Sequence, residues 1–230
     1  MSMRIKLFVA LPTEFPIEKA PLGVDVIYTG VGKVNAAIKA TEILKDLNPT
    51  ETRVINFGSA GSFVYGIGTL VRCDRFEQGD IDTKQFAKKT YTPFDEIIYP
   101  KLEKGELKFG DDNICVTADT FQTKAKRSVC DMEAYSIAKV CKIYGFDFVA
   151  YKFISDNGDA NDWKKNHNKG VEQFLETLKK YQHYSQAGVI EMVVFGYTAN
   201  ILEDTPLFHM QEQLQIRNEF ESSTNFDGAN

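Results

Sequence analysis

Glu14, Glu133 and Asp156 are carboxylates placed where a folded chain would present them to a ligand, near strand ends or helix starts. Asp156 follows the apolar run from Phe148 to Ile154 and leads into Asn157-Gly158-Asp159, so a buried strand breaks off abruptly in polar residues. In open α/β sheets ligands collect beyond the carboxyl ends of such strands, and a carboxylate there can exchange protons or hydrogen bonds with what binds. Glu14 has the same relation to the first apolar run, Ile5 to Ala10, because Pro12 cannot continue a central strand. Each residue also has a plainer use. Asp156 and Asp159 suit a turn or a helix cap, Glu14 a solvated first helical turn, and Asp131 with Glu133 the start of a helix, where the dipole favours negative charge.

The elements that must position these groups follow from the apolar spacing. A second strand, Val24 to Tyr28, leads through Thr29-Gly30-Val31-Gly32-Lys33 into a helix with Val34, Ala37, Ile38, Thr41, Leu44 and Leu47 at helical intervals. The two glycines allow a tight turn, but the dinucleotide fingerprint needs a third Gly where Asn35 stands, which excludes a Rossmann cofactor site. A third strand, Arg53 to Phe57, ends in Gly58-Ser59-Ala60-Gly61-Ser62. These small residues would let a ligand lie against the backbone, or form a simple glycine turn. Gly68 to Asp74 predicts another strand, Phe76 to Lys89 a loop or lid, and residues 90–112 carry no motif. Beyond the strand Ile114 to Ala118 stands Phe121, which is either a stacking platform for a planar heterocycle or a core aromatic. Val129 to Tyr144 predicts a helix with Ala134, Ile137, Ala138, Cys141 and Tyr144 inward, and a further helix runs from about Lys169 to Tyr181. This alternation predicts a mostly parallel sheet with helices on both faces. After residue 181 the rhythm fails, leaving a strand at 189–197, an amphipathic helix at 205–220 and a frayed or disordered end at 221–230.

The composition narrows the class of partner. The net charge of −5 arises from 27 basic and 32 acidic residues mixed along 230, with no basic block to form a nucleic-acid footprint. Cys73, Cys115, Cys130 and Cys141 show no Cys-x-x-Cys spacing, and His167, His183 and His209 stand at no metal-ligand interval from them. Four reduced thiols, no metal and no cofactor are expected. The N-terminal apolar run is too short for a signal peptide and no run reaches membrane-spanning length, so the expected place is the cytoplasm with no membrane partner.

Glu14, Thr29-Gly30-Val31-Gly32-Lys33-Val34-Asn35-Ala36-Ala37, Asn56-Phe57-Gly58-Ser59-Ala60-Gly61, Met132-Glu133-Ala134 and Ser155-Asp156 occur in one order. Together they resemble the purine nucleoside phosphorylase and nucleosidase superfamily, and within it most closely the 5′-methylthioadenosine/S-adenosylhomocysteine nucleosidases, over roughly residues 3 to 181. The resemblance implies a three-layer α/β sandwich around a central twisted, mixed and mostly parallel sheet, with residues 1–182 as the catalytic domain and 183–230 as a C-terminal extension. It implies hydrolysis of an adenine nucleoside, with Asp156 as general acid toward the base and Glu14 as activator of water. Glu133 would accept the ribose hydroxyls, Met132 would pack on the sugar, Phe121 would stack on adenine and the Gln122 backbone would meet the base edge. Ser59 and Ser155 would order water and acid beside Ala60 and Gly61. A homodimer is the implied assembly.

Phosphorolysis is the competing reaction. A phosphate site calls for a glycine-rich turn with converging arginines, whereas Leu11-Pro12-Thr13-Glu14 offers neither and its carboxylate would repel the dianion. The chain departs from the nucleosidase pattern in three ways. The segment between Glu14 and Gly30 is short by a helix and a hairpin, Lys152, in a substrate-binding place, stands where the family usually has an arginine near the water and the glutamate, and nothing after about Gln182 has a counterpart. Lys lacks the bidentate fork of Arg. Futalosine hydrolysis is a second substrate reading, and a nucleoside-binding protein without turnover is the reading from another class. A pure binder has no need of a proton donor facing a water activator.

Overall fold

The computed structural model describes residues 3–85, 106–121 and 129–179, together with 92, 95–99 and 102. The chain divides into two units, Met1–Ser185 and Gln186–Asn230. The expected strand at 189–197, helix at 205–220 and terminal tail lie outside the described residues, as does the expected domain boundary at 182.

Eight strands form one mixed sheet: β1 (Arg4–Val9), β2 (Val24–Tyr28), β3 (Thr52–Gly61), β4 (Leu70–Gln78), β5 (Leu107–Lys108), β6 (Asn113–Thr117), β7 (Val129–Asp131) and β8 (Phe148–Asp156). β1 lies parallel between β2 and β3, and β3 runs parallel to β8 along the length of both. The pairing then continues from β8 to β4, β6 and β7, and returns to β3 through the single pair Gly61 and Cys130. Five strands thus close a ring whose rim gathers the ends of β3, β7 and β8. β5 hangs on the outer edge of β4.

Helices cover both faces. α1 (Lys33–Leu44) and α3 (Ala134–Tyr144) pack Ala36, Ala40, Leu44, Ile137, Ala138 and Cys141 onto Phe8, Val54, Phe148 and Ile154. On the other face Leu7, Ile55, Phe57, Val149 and Tyr151 meet Phe15 and a helix over 171–179, labelled α5, through Val171, Phe174 and Leu178. Phe57 and Phe174 stack at 4.3 Å and Phe15 meets both edge-on at 5.9 Å. Alternate apolar residues of β8 feed the two cores and all nine residues are buried, which is why the strand reads as an apolar run from Phe148 to Ile154 interrupted only by Lys152. The three-layer mixed α/β architecture is the one expected. The other helices are short: α2 (Asp95–Ile98) and α4 (Ala160–Asn166).

Four local expectations are corrected. β3 does not stop at Phe57 but runs through Gly58-Ser59-Ala60-Gly61, because β8 supplies ladder partners as far as Asp156. β4 extends to Gln78, so Phe76 belongs to a strand and to the core rather than to a loop. The helix expected from Val129 starts only at Ala134, and Val129–Asp131 pairs with β6 as β7. Tyr144, expected on the inward stripe of that helix, is exposed at its last turn, while Ala134, Ile137, Ala138 and Cys141 are buried; a two-residue strand, β5, and the short α2 lie in the region without motifs.

Candidate functional site

A cleft of about 260 Å³ opens at the rim of the ring. Glu14, Ser59, Ala60, Gly61, Phe121, Met132, Glu133 and Asp156 all line it, brought together from five separate stretches of chain. Gln122 lies outside the described residues. Ser155 and Lys152 do not line the cleft; both side chains are buried behind its wall. Asp131, Cys130 and Trp163 are among the lining residues to which the sequence assigned no role toward a ligand.

Glu14 sits in the turn after β1, buried rather than solvated, so the first-turn helix reading is corrected. Its Oε1 accepts from the Ser59 backbone N–H at 2.9 Å and from Ser59 Oγ at 2.6 Å, and its Oε2 accepts from Leu11 N–H at 3.3 Å. Gly58 lies beside this carboxylate: a Cβ on it would meet Glu14 Oε1 at 3.6 Å, an ordinary van der Waals contact. Asp156 ends β8; its Oδ2 accepts from Ser155 Oγ at 2.9 Å and its Oδ1 from Gly158 N–H at 2.9 Å. A Cβ on Gly61 would stand 3.0 Å from that Oδ1. Glu14 and Asp156 therefore lie beside two glycines of β3 that are roughly 10 Å apart along the strand, a spacing that leaves room for a sugar and the bond to its base. The cap role belongs to Asp159, whose side chain accepts from Asn161 N–H at the start of α4.

Glu133 is the residue before α3 and is buried. Its Oε1 accepts from Gly32 N–H at 2.9 Å, which fastens it to the glycine turn before α1. Gly32 has φ of 95°, a conformation that side-chain-bearing residues rarely adopt, and this turns its N–H toward the carboxylate. Burial first, and then the negative charges of Asp131 and Glu14, push the Glu133 carboxyl up to about 8; Lys152 and the Gly32 N–H pull the other way.

Behind Glu133, Lys152 Nζ lies 2.7 Å from Asp131 Oδ2, both side chains out of solvent. Burial alone would neutralise Lys152, but the Asp131 charge, with Cys115 and Glu133 adding to it, holds the ammonium above the ordinary lysine range. Burial likewise opposes ionisation of Asp131, and is overcome by Lys152 together with hydrogen bonds from Thr117 Oγ1 at 2.5 Å and Ala134 N–H at 2.8 Å. The Cys130 thiol, pushed up to about 12 by burial and by the nearby carboxylates, is an unreactive wall of the cleft. Among the described residues no group of three His, Cys, Asp or Glu side chains is placed to hold a metal ion, and no helix is long and apolar enough to cross a membrane.

A fold with a closed mixed ring between helical layers and a carboxylate-lined cleft at its rim defines the class, and the chain belongs to the phosphorylase superfamily, whose family model matches residues 22–191. Within that family it is similar to a 5′-methylthioadenosine/S-adenosylhomocysteine nucleosidase of Shewanella denitrificans, 31% identical over 204 residues that cover 74% of this chain and 82% of the relative. The corresponding nucleosidase of Shewanella halifaxensis is 29% identical over the same length and coverage. Among solved structures, the Helicobacter pylori nucleosidase of that name shares the fold at a TM-score of 0.65 and 19% identity, covering 78% of this chain and 98% of that one. The futalosine hydrolase of Helicobacter pylori does so at 0.65 and 21% identity, covering 79% and 99%.

Proposed function

We propose that this chain hydrolyses the N-glycosidic bond of an adenine nucleoside, methylthioadenosine or S-adenosylhomocysteine, and releases adenine. The observation that carries the reading is the pairing of Glu14 and Asp156 in one cleft, each held by a serine hydroxyl, with Glu133 in the same wall. Cleavage passes through an oxocarbenium-like centre, so the leaving base must be protonated and water activated at the sugar. Asp156 supplies the proton to the base as the bond to the anomeric carbon breaks. Glu14 takes a proton from the water whose oxygen bonds to that carbon. Glu133 accepts hydrogen bonds from the ribose hydroxyls, Met132 packs against the sugar, and Phe121, exposed at the mouth, stacks on adenine. Lys152 acts from behind through its charge rather than by touching substrate. No cofactor or metal enters this scheme.

The protein is placed by this reading in the cytoplasm, as a homodimer acting on a small-molecule nucleoside and not on nucleic acid. Support for the dimer comes from Val31, Val34 and Ile38, which leave apolar surface exposed along the α1 side, where Val31 also borders the cleft. Sedimentation of the purified chain decides this point, a monomer at micromolar concentration removing it.

The deciding experiment is adenine release from both substrates in phosphate-free buffer and then with phosphate added. Release without phosphate is expected. Release that requires phosphate replaces hydrolysis by phosphorolysis, and turnover of futalosine alone replaces the substrate.

A further inference from the structure

The serine that holds Glu14 is itself held. Trp163 Nε1–H donates to Ser59 Oγ at 3.0 Å, and Ser59 Oγ donates its only proton to Glu14 Oε1. An indole nitrogen can only donate, so the Trp163 contact occupies a lone pair of the hydroxyl, and the hydroxyl proton goes to the acceptor at 2.6 Å, Glu14 Oε1. Hydrogen bonds in such a chain polarise one another and strengthen the last one. A phenylalanine would keep an aromatic ring on α4 but lack the nitrogen-bearing ring, and so break the chain.

The helix that carries Trp163 is fixed at both ends. Asp159 caps its start, and Asn166 Nδ2 near its end donates to the backbone carbonyl of Ser155 at 3.0 Å. Ser155 is the residue whose hydroxyl donates to Asp156. His167 stacks on the indole at 4.8 Å with its ring inclined by 25°. The seven residues of α4 therefore touch both serines that orient the two carboxylates of the cleft.

We propose that Trp163 is a positioning residue that, through Ser59, holds Glu14 in the orientation required to activate water; the proposal rests on the hydrolytic reading of the cleft. Trp163→Phe removes the donor and keeps part of the aromatic packing, and the Ser59→Ala background separates the two effects. Its expected effect is a fall in kcat of roughly fivefold to tenfold, the weight of one hydrogen bond, with KM changed by less than about twofold. The same substitution made in a Ser59→Ala background is expected to cost nothing further, because the chain is already broken. Unchanged kcat in Trp163→Phe overturns the proposal, and so does an undiminished fall in the Ser59→Ala background, which would make the role one of packing.

Trp163 is the only tryptophan of the chain, so its indole N–H gives a single nitrogen–proton resonance that reports the contact in the otherwise native protein. Ser59→Ala and Glu14→Gln are each expected to shift that resonance, and a resonance unmoved by both overturns the proposal even where Trp163→Phe does not fold. A wild-type protein that releases no base from any nucleoside fails the hydrolytic reading and this proposal with it. Release in the wild type that Trp163→Phe leaves unaltered fails the proposal alone.

Discussion

Lys152 Nζ and Asp131 Oδ2 lie 2.7 Å apart, two residues behind the carboxylate of Glu133 in the sequence of one and at the centre of β8 in the other. Their side chains expose 1% and 0%, so neither charge has water to return to if the other is removed. The pair does more than hold two strands together, because the Lys152 charge also reaches Glu133 and opposes its protonation.

Replacing Lys152 by Met should destabilise the fold by about 3–5 kcal/mol, the usual cost of leaving a buried charge uncompensated. Adding Asp131→Leu should recover only part of this, because Thr117 Oγ1 and the Ala134 N–H would then lose their acceptor. Urea unfolding of the single and double variants measures both values. A Lys152→Met protein as stable as the parent would show that the pair contributes no net stability.

Asp156→Asn retains the shape of the side chain and its hydrogen bond from Gly158 N–H, but it has no acidic proton to give the base. Turnover should fall by a factor on the order of 10² to 10⁴, the range for a positioned general acid, with nucleoside affinity nearly unchanged. Single-turnover assays and calorimetric titration separate the two quantities. Undiminished turnover would take the acid role away from Asp156.

Gly61→Ala should disturb catalysis without unfolding the protein. The added Cβ would stand 3.0 Å from Asp156 Oδ1, so the carboxylate must move by a few tenths of an ångström or the strand must give way. A kcat loss of roughly tenfold or more, with the melting temperature close to that of the parent, is the expected pair of results, since sub-ångström misplacement of an acid is costly. A large loss of thermal stability with normal specific activity would mean that the strand yields instead of the side chain.

The long elements of this fold were legible in the sequence because each carries its own periodicity: β1 and β8 as compact apolar runs, and α1 with its helical spacing. The second half of β3 was not, since Gly58-Ser59-Ala60-Gly61 has the composition of a turn and becomes strand only because β8 lies beside it. β7 is three residues long, too short for any period to show, and its last residue, Asp131, together with Glu133 looks like an ordinary helix start. The site divides in the same manner. Glu14, Glu133 and Asp156 stand out by their places at strand and helix ends, whereas the Lys152–Asp131 pair joins residues far apart in the chain and no local pattern marks it. Trp163 was passed over because a single aromatic in a polar seven-residue helix has no apolar stripe to flag it.

Glu133 ties the pH behaviour of stability to that of binding. Its carboxyl is raised from an ordinary 4.5 to about 8 by burial and by Asp131, so the folded state holds a proton that the unfolded chain releases. Between about pH 4.5 and about pH 8 the native state binds more protons at this site, and its contribution to stability is therefore full below that window and lost as pH rises through it. Ribose hydroxyls that donate to Glu133 favour its ionised form, so nucleoside affinity should run the opposite way. It should weaken by up to about tenfold per pH unit below pH 8, while adenine alone, which has no hydroxyls to offer, should bind without this dependence. Glu133→Gln should abolish the difference between the two ligands and lower turnover of ribosides. Calorimetric titration of adenine and of a non-hydrolysable nucleoside analogue from about pH 6 to about pH 9 makes the comparison, and parallel profiles for the two would show that the sugar does not reach Glu133.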